Sequence, residues 1–420
     1  MATPTITTHE AKMNIKLTRI SLATSTVLAA AALVACGGGG GGNDSPAPAP
    51  SPMGTVRASL TDAPACGYDE VNITVVKVRV NSSATASETD GGWTDIALAA
   101  PVKVNLLKLT NGLVEPLGTA PLAAGTYNQI RLVLDANTAD NMANSVKPTG
   151  GTLQNLITPS AVQSGLKLNG SFTVAAGQVA DVVLDFDACK SVVTRGNGKY
   201  ALKPVIKMLP SVLNGISGVI APSQLTSNVM ISAQQAGVVV SSTVPDPITG
   251  AFLLSRLPVG SYDVVITGNG SAATVIGAVP VPAAASVPVS TAAAPITLAA
   301  STTGSIAGTT KLTPAPAIET ATYVSAKQTF ASGPTVTIKY AGADLLTGAY
   351  AINGLPLSAP QYAVYSATLP LVFAPATSVT PGAGNYNVSA SAVGYATLPL
   401  ATFVDISVAN AAKVNFALVP

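Results

Sequence analysis

The sequence predicts an all-β protein, with three antiparallel β-sandwich domains in tandem after a flexible N-terminal tether. Charged residues are 10% and aromatic residues 5% of the 420, against 37 glycines and 31 prolines. That balance suits many short strands joined by Gly/Pro turns. Apolar and β-branched runs recur between turn pairs such as Asn111-Gly112. A pattern of about 90 residues in the second half then repeats, a period that marks repeated domains rather than solenoid units.

Before these domains lies a targeting segment. Lys16 and Arg19 form a basic start, and Ile20 to Val34 is an apolar, small-residue run of signal-peptide length. It is too rich in Ala, Ser and Thr for a membrane span, which needs ~20 strongly apolar residues. Signals begin at their basic region, so Met13 is a candidate start, and residues 1–35 read as a signal peptide. Residues 36–53, with glycines at 37–42 and a Pro-Ala repeat, read as a tether. Its length allows a reach of at most ~55–60 Å.

Leu33-Val34-Ala35-Cys36 resembles the lipobox of bacterial lipoproteins. The resemblance implies cleavage before Cys36, a thioether diacylglycerol on its sulfur and an amide-linked chain such as palmitate. Two or more acyl chains give a stable anchor in a lipid bilayer. Gly37 rather than Asp follows, so the resemblance also implies the outer membrane in a Gram-negative host, facing the periplasm or the surface. The alternative is an ordinary signal with a chance cysteine.

The one histidine, His9, lies in the segment to be removed. Its loss excludes Ser-His-Asp triads and His-ligated zinc or copper from the mature chain. With Cys36 lipidated, Cys66 and Cys189 remain in an oxidising compartment and are expected to form a disulfide, two free thiols being the alternative. Net charge is +2, with no basic patch interleaved with aromatics, which argues against nucleic acid. The glycine run lacks the flanking strand, helix and Lys-Ser/Thr of a phosphate loop. No cofactor is expected.

The first unit, 54–214, opens with a strand at Thr55–Leu60. Val71–Val80 is the strongest strand: Val71, Ile73 and Val75 alternate on one face, then Val76, Val78 and Val80 take the other parity. Such a switch predicts a bulge or burial on both faces. Further strands are expected over Trp93–Leu98, Val102–Leu107, Tyr127–Leu134, Leu166–Val174, Val179–Phe186 and Tyr200–Met208. The second unit, 215–300, opens at Gly215-Ile216-Ser217-Gly218-Val219. It continues with Thr249-Gly250-Ala251-Phe252 and Leu257-Pro258-Val259-Gly260-Ser261-Tyr262. The third, 301–420, repeats Gly304-Ser305-Ile306-Ala307-Gly308, Thr347-Gly348-Ala349-Tyr350 and Leu355-Pro356. Extra sequence near 357–381 then intervenes before Gly384-Asn385-Tyr386. Residues 54–214 hold 13 Lys/Arg and 12 Asp/Glu, whereas 215–420 hold 5 and 5, so the second half presents neutral polar groups to water.

Leu60-Thr61-Asp62-Ala63-Pro64, Leu106-Leu107-Lys108-Leu109-Thr110-Asn111-Gly112, Leu122-Ala123-Ala124-Gly125-Thr126-Tyr127 and Asp185-Phe186-Asp187 resemble the family called domain of unknown function 4382. That resemblance spans the first unit and implies a β fold in a lipoprotein setting, without an activity. The second and third units resemble carboxypeptidase-regulatory-like domains, seven-stranded sandwiches of the transthyretin-like or carbohydrate-binding-like class. The third lacks the Gly of the Leu-Pro-x-Gly-x-Tyr motif at its expected place.

Asp181, Asp185 and Asp187 are expected on the outer face of one strand, with Val182, Leu184 and Phe186 inward. Oxygen-rich clusters can bind calcium. Lys199, Lys203 and Lys207 on the next strand supply a plainer reading, a solvated cross-strand ion-pair ladder, and no metal is expected. Asp62 is expected to cap its own turn. Trp93 is the candidate for stacking on a sugar ring, the alternative being a core or rim aromatic. Tyr262 and Tyr386 read as core. The expected function is that of a non-enzymatic, membrane-anchored envelope lipoprotein acting as a binding or adhesion module, with glycan or an envelope protein as partner. The competing reading is a passive scaffold that positions a partner protein.

Overall fold

The computed structural model describes residues 52–63, 67–209, 213–331, 333–375 and 379–420. The signal segment, Cys36, the tether and Cys66 lie outside the described residues. Residues 51–420 form one compact unit, whose regular secondary structure is almost entirely strand.

The first sandwich comprises β1 (Met53–Ala63), β2 (Tyr68–Asn81), β3 (Thr94–Asn105), β4 (Glu115–Ala123), β5 (Gly125–Leu134), β6 (Ser145–Pro148), β7 (Gln154–Ile157), β8 (Leu166–Val174), β9 (Val179–Asp187), β10 (Val192–Thr194), β11 (Tyr200–Leu202) and β12 (Ile206–Leu209), with short helices α1 (Pro159–Gln163) and α2 (Ala188–Ser191). One sheet runs β12-β9-β1-β4. The other runs β10-β11-β7-β6-β2-β5-β8, with β3 also beside β2. Leu60, Ile73, Ile96, Leu132, Leu184 and Phe186 are fully buried between them. The bulge expected in β2 is present: the register of β2 slips between Val75 and Lys77 against both β3 and β5. Val71, Ile73 and Val75 are buried before the slip, Val78 and Val80 after it.

Two expectations change here. The two strands expected over Trp93–Leu98 and Val102–Leu107 merge into one, β3, which ends at Asn105 before a 3-10 turn at Leu106–Lys108 and passes through Pro101; its register against β2 skips from Ala97 to Val102, so the missing N–H leaves no ladder bond broken. Conversely, Tyr200–Met208 is not one strand. It breaks at Lys203-Pro204-Val205, where the proline cannot donate to a ladder, and the chain crosses from one sheet (β11) to the other (β12).

The second sandwich contains β13 (Gly215–Val219), β14 (Met230–Gln235), β15 (Val238–Thr243), β16 (Ala251–Ser255), β17 (Gly260–Thr267), β18 (Thr274–Val281) and β19 (Ser286–Pro288). The rest of the chain forms β20 (Thr303–Leu312), β21 (Thr322–Phe330), β22 (Thr335–Gly342), β23 (Ala349–Pro356), β24 (Gln361–Val364), β25 (Ala374–Pro375), β26 (Val379–Thr380), β27 (Asn385–Ala392), β28 (Leu398–Pro399), β29 (Val404–Asp405) and β30 (Phe416–Leu418), and all but β24 and β25 belong to the third sandwich.

All three sandwiches share one plan. The opening strand (β1, β13, β20) lies between an antiparallel partner (β4, β16, β23) and a parallel one from later in the chain (β9, β19, β30). Pairing is mostly antiparallel, and each sandwich has a parallel seam at this place, with further parallel pairs at β7-β11 and β18-β24. In the facing sheet a hairpin (β2-β3, β14-β15, β21-β22) pairs with β5, β17 or β27. At the crossing between sheets a buried tyrosine ties the corner: Tyr127 donates to the Ala123 carbonyl at 3.0 Å, Tyr262 to Pro258 at 2.8 Å, and Tyr386 to Pro356. Gly125-Thr126-Tyr127, Gly260-Ser261-Tyr262 and Gly384-Asn385-Tyr386 are therefore one motif. In the third sandwich the intervening segment separates the tyrosine from its acceptor. The glycine missing after Leu355-Pro356 is Gly384.

The intervening segment packs on the second sandwich. Its strand β24 extends that sheet, parallel to β18, and Tyr365, Leu371 and Phe373 pack against the second core. Tyr362 stacks on Phe330 of the third sandwich at 4.5 Å.

A second repeated device precedes β16 and β23. Asp246 accepts from the amides of Ile248 and Thr249 and from the Thr249 hydroxyl, and Asp344 accepts from Leu346 and Thr347 in the same way. These Asx turns end on Gly250 and Gly348, at φ 72° and 69°.

Candidate functional site

The densest group of buried polar residues lies where the first sandwich meets the other two. It is built from the C-terminal ends of β1 and β9, which run side by side with Asp62 opposite Phe186 and Ala63 opposite Asp187. The chain then turns into α2. Asp187 caps that helix, accepting from the Lys190 amide at 3.1 Å and the Lys190 ammonium at 2.9 Å. Asp62 accepts at 3.0 Å from the Ala188 amide, so it tethers α2 from a distant point in sequence; the turn it is expected to cap, at 64–66, lies outside the described residues.

The carboxylate face of β9 is solvated only at Asp181. Asp185 and Asp187 are only 6% and 7% exposed, with the second sandwich over Asp185 and Tyr323 and Tyr340 of the third near Asp187. A small cavity remains, lined by Thr61, Asp62, Asn111, Asp185, Ser242 and Thr243 among others. It offers about 10 Å³, roughly the room one water needs. Burial, reinforced by the neighbouring Asp187 charge, pushes the Asp185 carboxyl up to about 7, against the opposing pull of Lys207 and Lys190.

Nor do the lysines form a ladder. Lys207 stands opposite Asp185 in register, but its ammonium donates to the Val240 carbonyl of the second sandwich at 3.0 Å. Burial and the Lys190 charge lower its pKa. Lys203 lies 3.9 Å from Glu319, and Lys199 is exposed in a Gly-Asn-Gly hairpin. Asp181 pairs with Arg57 at 3.4 Å. Among the described residues, no group of three or more His, Cys, Asp or Glu side chains is placed to hold a metal.

Other side chains span the junctions. Asn111, in the turn after β3 at φ 57°, inserts between β15 and β16. It donates to the Val244 carbonyl at 3.1 Å and accepts from the Leu253 amide at 3.0 Å and the Thr243 hydroxyl at 2.9 Å. Arg195 forms a forked pair with Glu319, Nε at 3.2 Å from both oxygens and Nη2 at 2.8 Å from one. Asp344 accepts from the Gly196 amide at 2.7 Å. Burial opposes its ionisation, but hydrogen bonds from Thr347, Gly196 and Leu346 outweigh it and bring its pKa down to about 2. Tyr323 donates to the Lys190 carbonyl, while the Lys190 ammonium lies 5.4 Å from the Tyr340 ring centre. Gln234 of the second sandwich and Thr337 of the third exchange two hydrogen bonds at 2.8 Å through the Gln234 amide and the Thr337 backbone.

Trp93 lies away from this junction. The guanidinium carbons of Arg79 and Arg131 lie 5.0 and 4.8 Å from its ring centre, and its indole N–H donates to the Ser87 carbonyl at 2.8 Å. Arg131 is itself held by the carbonyls of Ser164 and Ala86. The ring therefore fastens the loop after β2 through cation–π contacts, and stacking on a sugar would compete with them.

Sequence reading missed Asn111, Gln234, Arg195 and Glu319 as junction residues. Asn111 was visible only as a turn former, and the others carry no local signature. The Asp-x-x-Thr-Gly turn at Asp246 and Asp344 was a signal that could have been read.

Residues 53–204 match the family model described as "Domain of unknown function (DUF4382)". The first sandwich is a DUF4382 domain. The match covers β1 to β11, including the Asp62 and Asn111 segments, and ends before β12. No curated protein matches the chain. Among solved structures, the major pilin SpaA of Corynebacterium diphtheriae is similar at 14% identity, over 87% of this chain and 100% of that one, with a TM-score of 0.19. The TIE protein of Bacillus anthracis is similar at 10% identity, over 87% and 50%, with a TM-score of 0.16. The major pilin subunit BcpA of Bacillus cereus is similar at 11% identity, over 87% and 98%, with a TM-score of 0.16. The chain spans half the length of the Bacillus anthracis protein. Overlaps this loose carry nothing about function.

Proposed function

We propose that this protein is a non-enzymatic structural or adhesion module of the bacterial envelope, anchored by lipid on Cys36 and displayed on the 36–53 tether. The observation that carries the reading is the junction itself. Polar side chains of the DUF4382 domain, Asn111, Arg195 and Lys207 among them, are spent on joining it to the two sandwiches that follow. Such joining suits a body that bears load or holds a surface at a fixed geometry. The resemblance of the second and third sandwiches to carboxypeptidase-regulatory-like domains supports a modular extracellular role, and it rests on their motifs.

The anchor is a proposal from the Leu33–Cys36 motif. No helix among the described residues is long and apolar enough to cross a membrane. Palmitate labelling of cells expressing the protein or Cys36→Ser tests it: label is expected only on the former, and equal labelling overturns it. We also propose a Cys66–Cys189 disulfide. What supports it is the register that sets Ala63 beside Asp187, a few residues ahead of each cysteine, together with the half-cystine character of Cys189. Reduction should separate the two tryptic peptides, and identical maps with and without reductant overturn the pairing.

Carbohydrate is the ligand class to test first, given the neutral polar surfaces of the second half. A glycan array probed with residues 52–420 should give reproducible hits if these surfaces recognise sugars. A blank array leaves the structural role and removes the sugar-binding one.

A further inference from the structure

Asp185 is distinctive among the carboxylates of the junction. Asp187 has the Lys190 ammonium and amide, Asp62 has the Ala188 amide, and Asp181 has Arg57. Asp185 is 6% exposed, and no hydrogen bond supports its ionised form. It lines the cavity between the first and second sandwiches. We propose that Asp185 makes this seam a pH-sensitive latch, fastened when its carboxyl is protonated and loosened when it ionises.

The groups facing Asp185 fix the direction. β1 contributes Asp62, β9 contributes Asp187, α2 contributes Lys190 and β12 contributes Lys207. The facing strands β15 and β16 present Ser241, Ser242, Thr243, Leu253 and Ser255, all neutral, and Arg256 follows β16 with its own pKa lowered by burial. From the third sandwich, Tyr323 and Tyr340 stand by Asp187 rather than Asp185, and burial keeps their phenols protonated. Two lysines and two other carboxylates surround Asp185. Neither ammonium is hydrogen-bonded to Asp185: that of Lys207 donates to the Val240 carbonyl and that of Lys190 to Asp187. An ionised Asp185 is therefore buried beside like charge without a donor, the costly case. Asp187 has the Lys190 amide and ammonium as donors, and Asp185 has neither.

The sign follows by linkage. The carboxyl has an ordinary acidic value in the open or unfolded state and about 7 in the closed seam. The closed state therefore binds the extra proton between those values. Closure is favoured at acidic pH, weakens as pH rises from about 4 towards 7, and stays weak above. A hydroxyl or carbonyl of the lining can accept from the protonated acid, so protonation adds a donor where one is lacking.

The test is amide hydrogen exchange on the full chain from pH 5 to 8.5, read as protection factors so that intrinsic pH dependence cancels. The Leu253 amide, bonded across the seam to Asn111, reports the latch. The Val264 amide region, inside the second sheet, reports the sandwich itself. Protection at Leu253 is expected to fall tenfold or more between pH 5 and pH 8 while protection around Val264 holds. Asp185→Asn is expected to hold Leu253 protection level across that range. Lys207→Gln, which removes a charge that favours ionisation, is expected to move the midpoint of the fall to higher pH. Should Asp185→Asn fail to fold, the native profile and Lys207→Gln still decide. A flat native profile, or an equal fall in Asp185→Asn, overturns the proposal.

Discussion

Asn111 holds a left-handed backbone conformation at φ 57° and places its side-chain amide between two strands of another sandwich. Asn111→Gly keeps the turn and removes the amide, leaving the Leu253 N–H and the Val244 carbonyl without their partner. A loss of about 1–3 kcal/mol is expected, read as a lower urea midpoint for residues 52–420. An unchanged midpoint would mean that the contact contributes nothing to stability. The three corner tyrosines make a second case. Tyr127→Phe, Tyr262→Phe and Tyr386→Phe each remove one hydroxyl that donates to a carbonyl, and each should cost about 1 kcal/mol. Similar losses at all three would match their shared geometry, whereas a negligible loss at Tyr386 would deny it the corner role. Tyr262 and Tyr386 were legible as core because they follow turns in alternating runs. The role of Asn111 was not, since the same Asn-Gly signal marks any tight turn.

At the level of elements, apolar alternation carried most of the strand positions. The β2 bulge was readable from its parity switch because one side-chain period maps to one face. The break at Pro204 was not, since a strand pattern continues on both sides while the chain changes sheets. The shared plan of the DUF4382 domain and its neighbours was hidden for another reason. Leu122-Ala123-Ala124-Gly125-Thr126-Tyr127 has alanine where the others have proline, and β6, β7, β10, β11 and β12 are additions to the common strands. The repeated Asx turns give a direct test of the common plan in the second and third sandwiches. A Cβ on Gly250 would lie 2.1 Å from the Ile220 carbonyl oxygen, and one on Gly348 2.1 Å from that of Thr310. Gly250→Ala and Gly348→Ala should each cost about 2 kcal/mol or more, from the clash together with positive φ. Chemical denaturation of each variant reads this, and native-like stability of either would show that its turn rearranges freely.

At the level of the whole molecule, sequence composition described three separate domains, and the structure joins them through side chains that no local pattern marks. Burial decides this. The acidic face of β9 alternates as a solvent-exposed face would, and only the tertiary arrangement reveals that another sandwich covers it. The segment between Pro356 and Gly384 likewise reads as an interruption of the third sandwich, yet it supplies strand β24 to the second. A chain locked in this way holds its surfaces at fixed relative positions, which is what a structural or ligand-presenting module requires. The most direct measurement of that claim is scanning calorimetry of residues 52–420. The account predicts a single transition, with calorimetric and van't Hoff enthalpies in agreement. Three separable transitions would contradict it and return the molecule to three independent domains on a string.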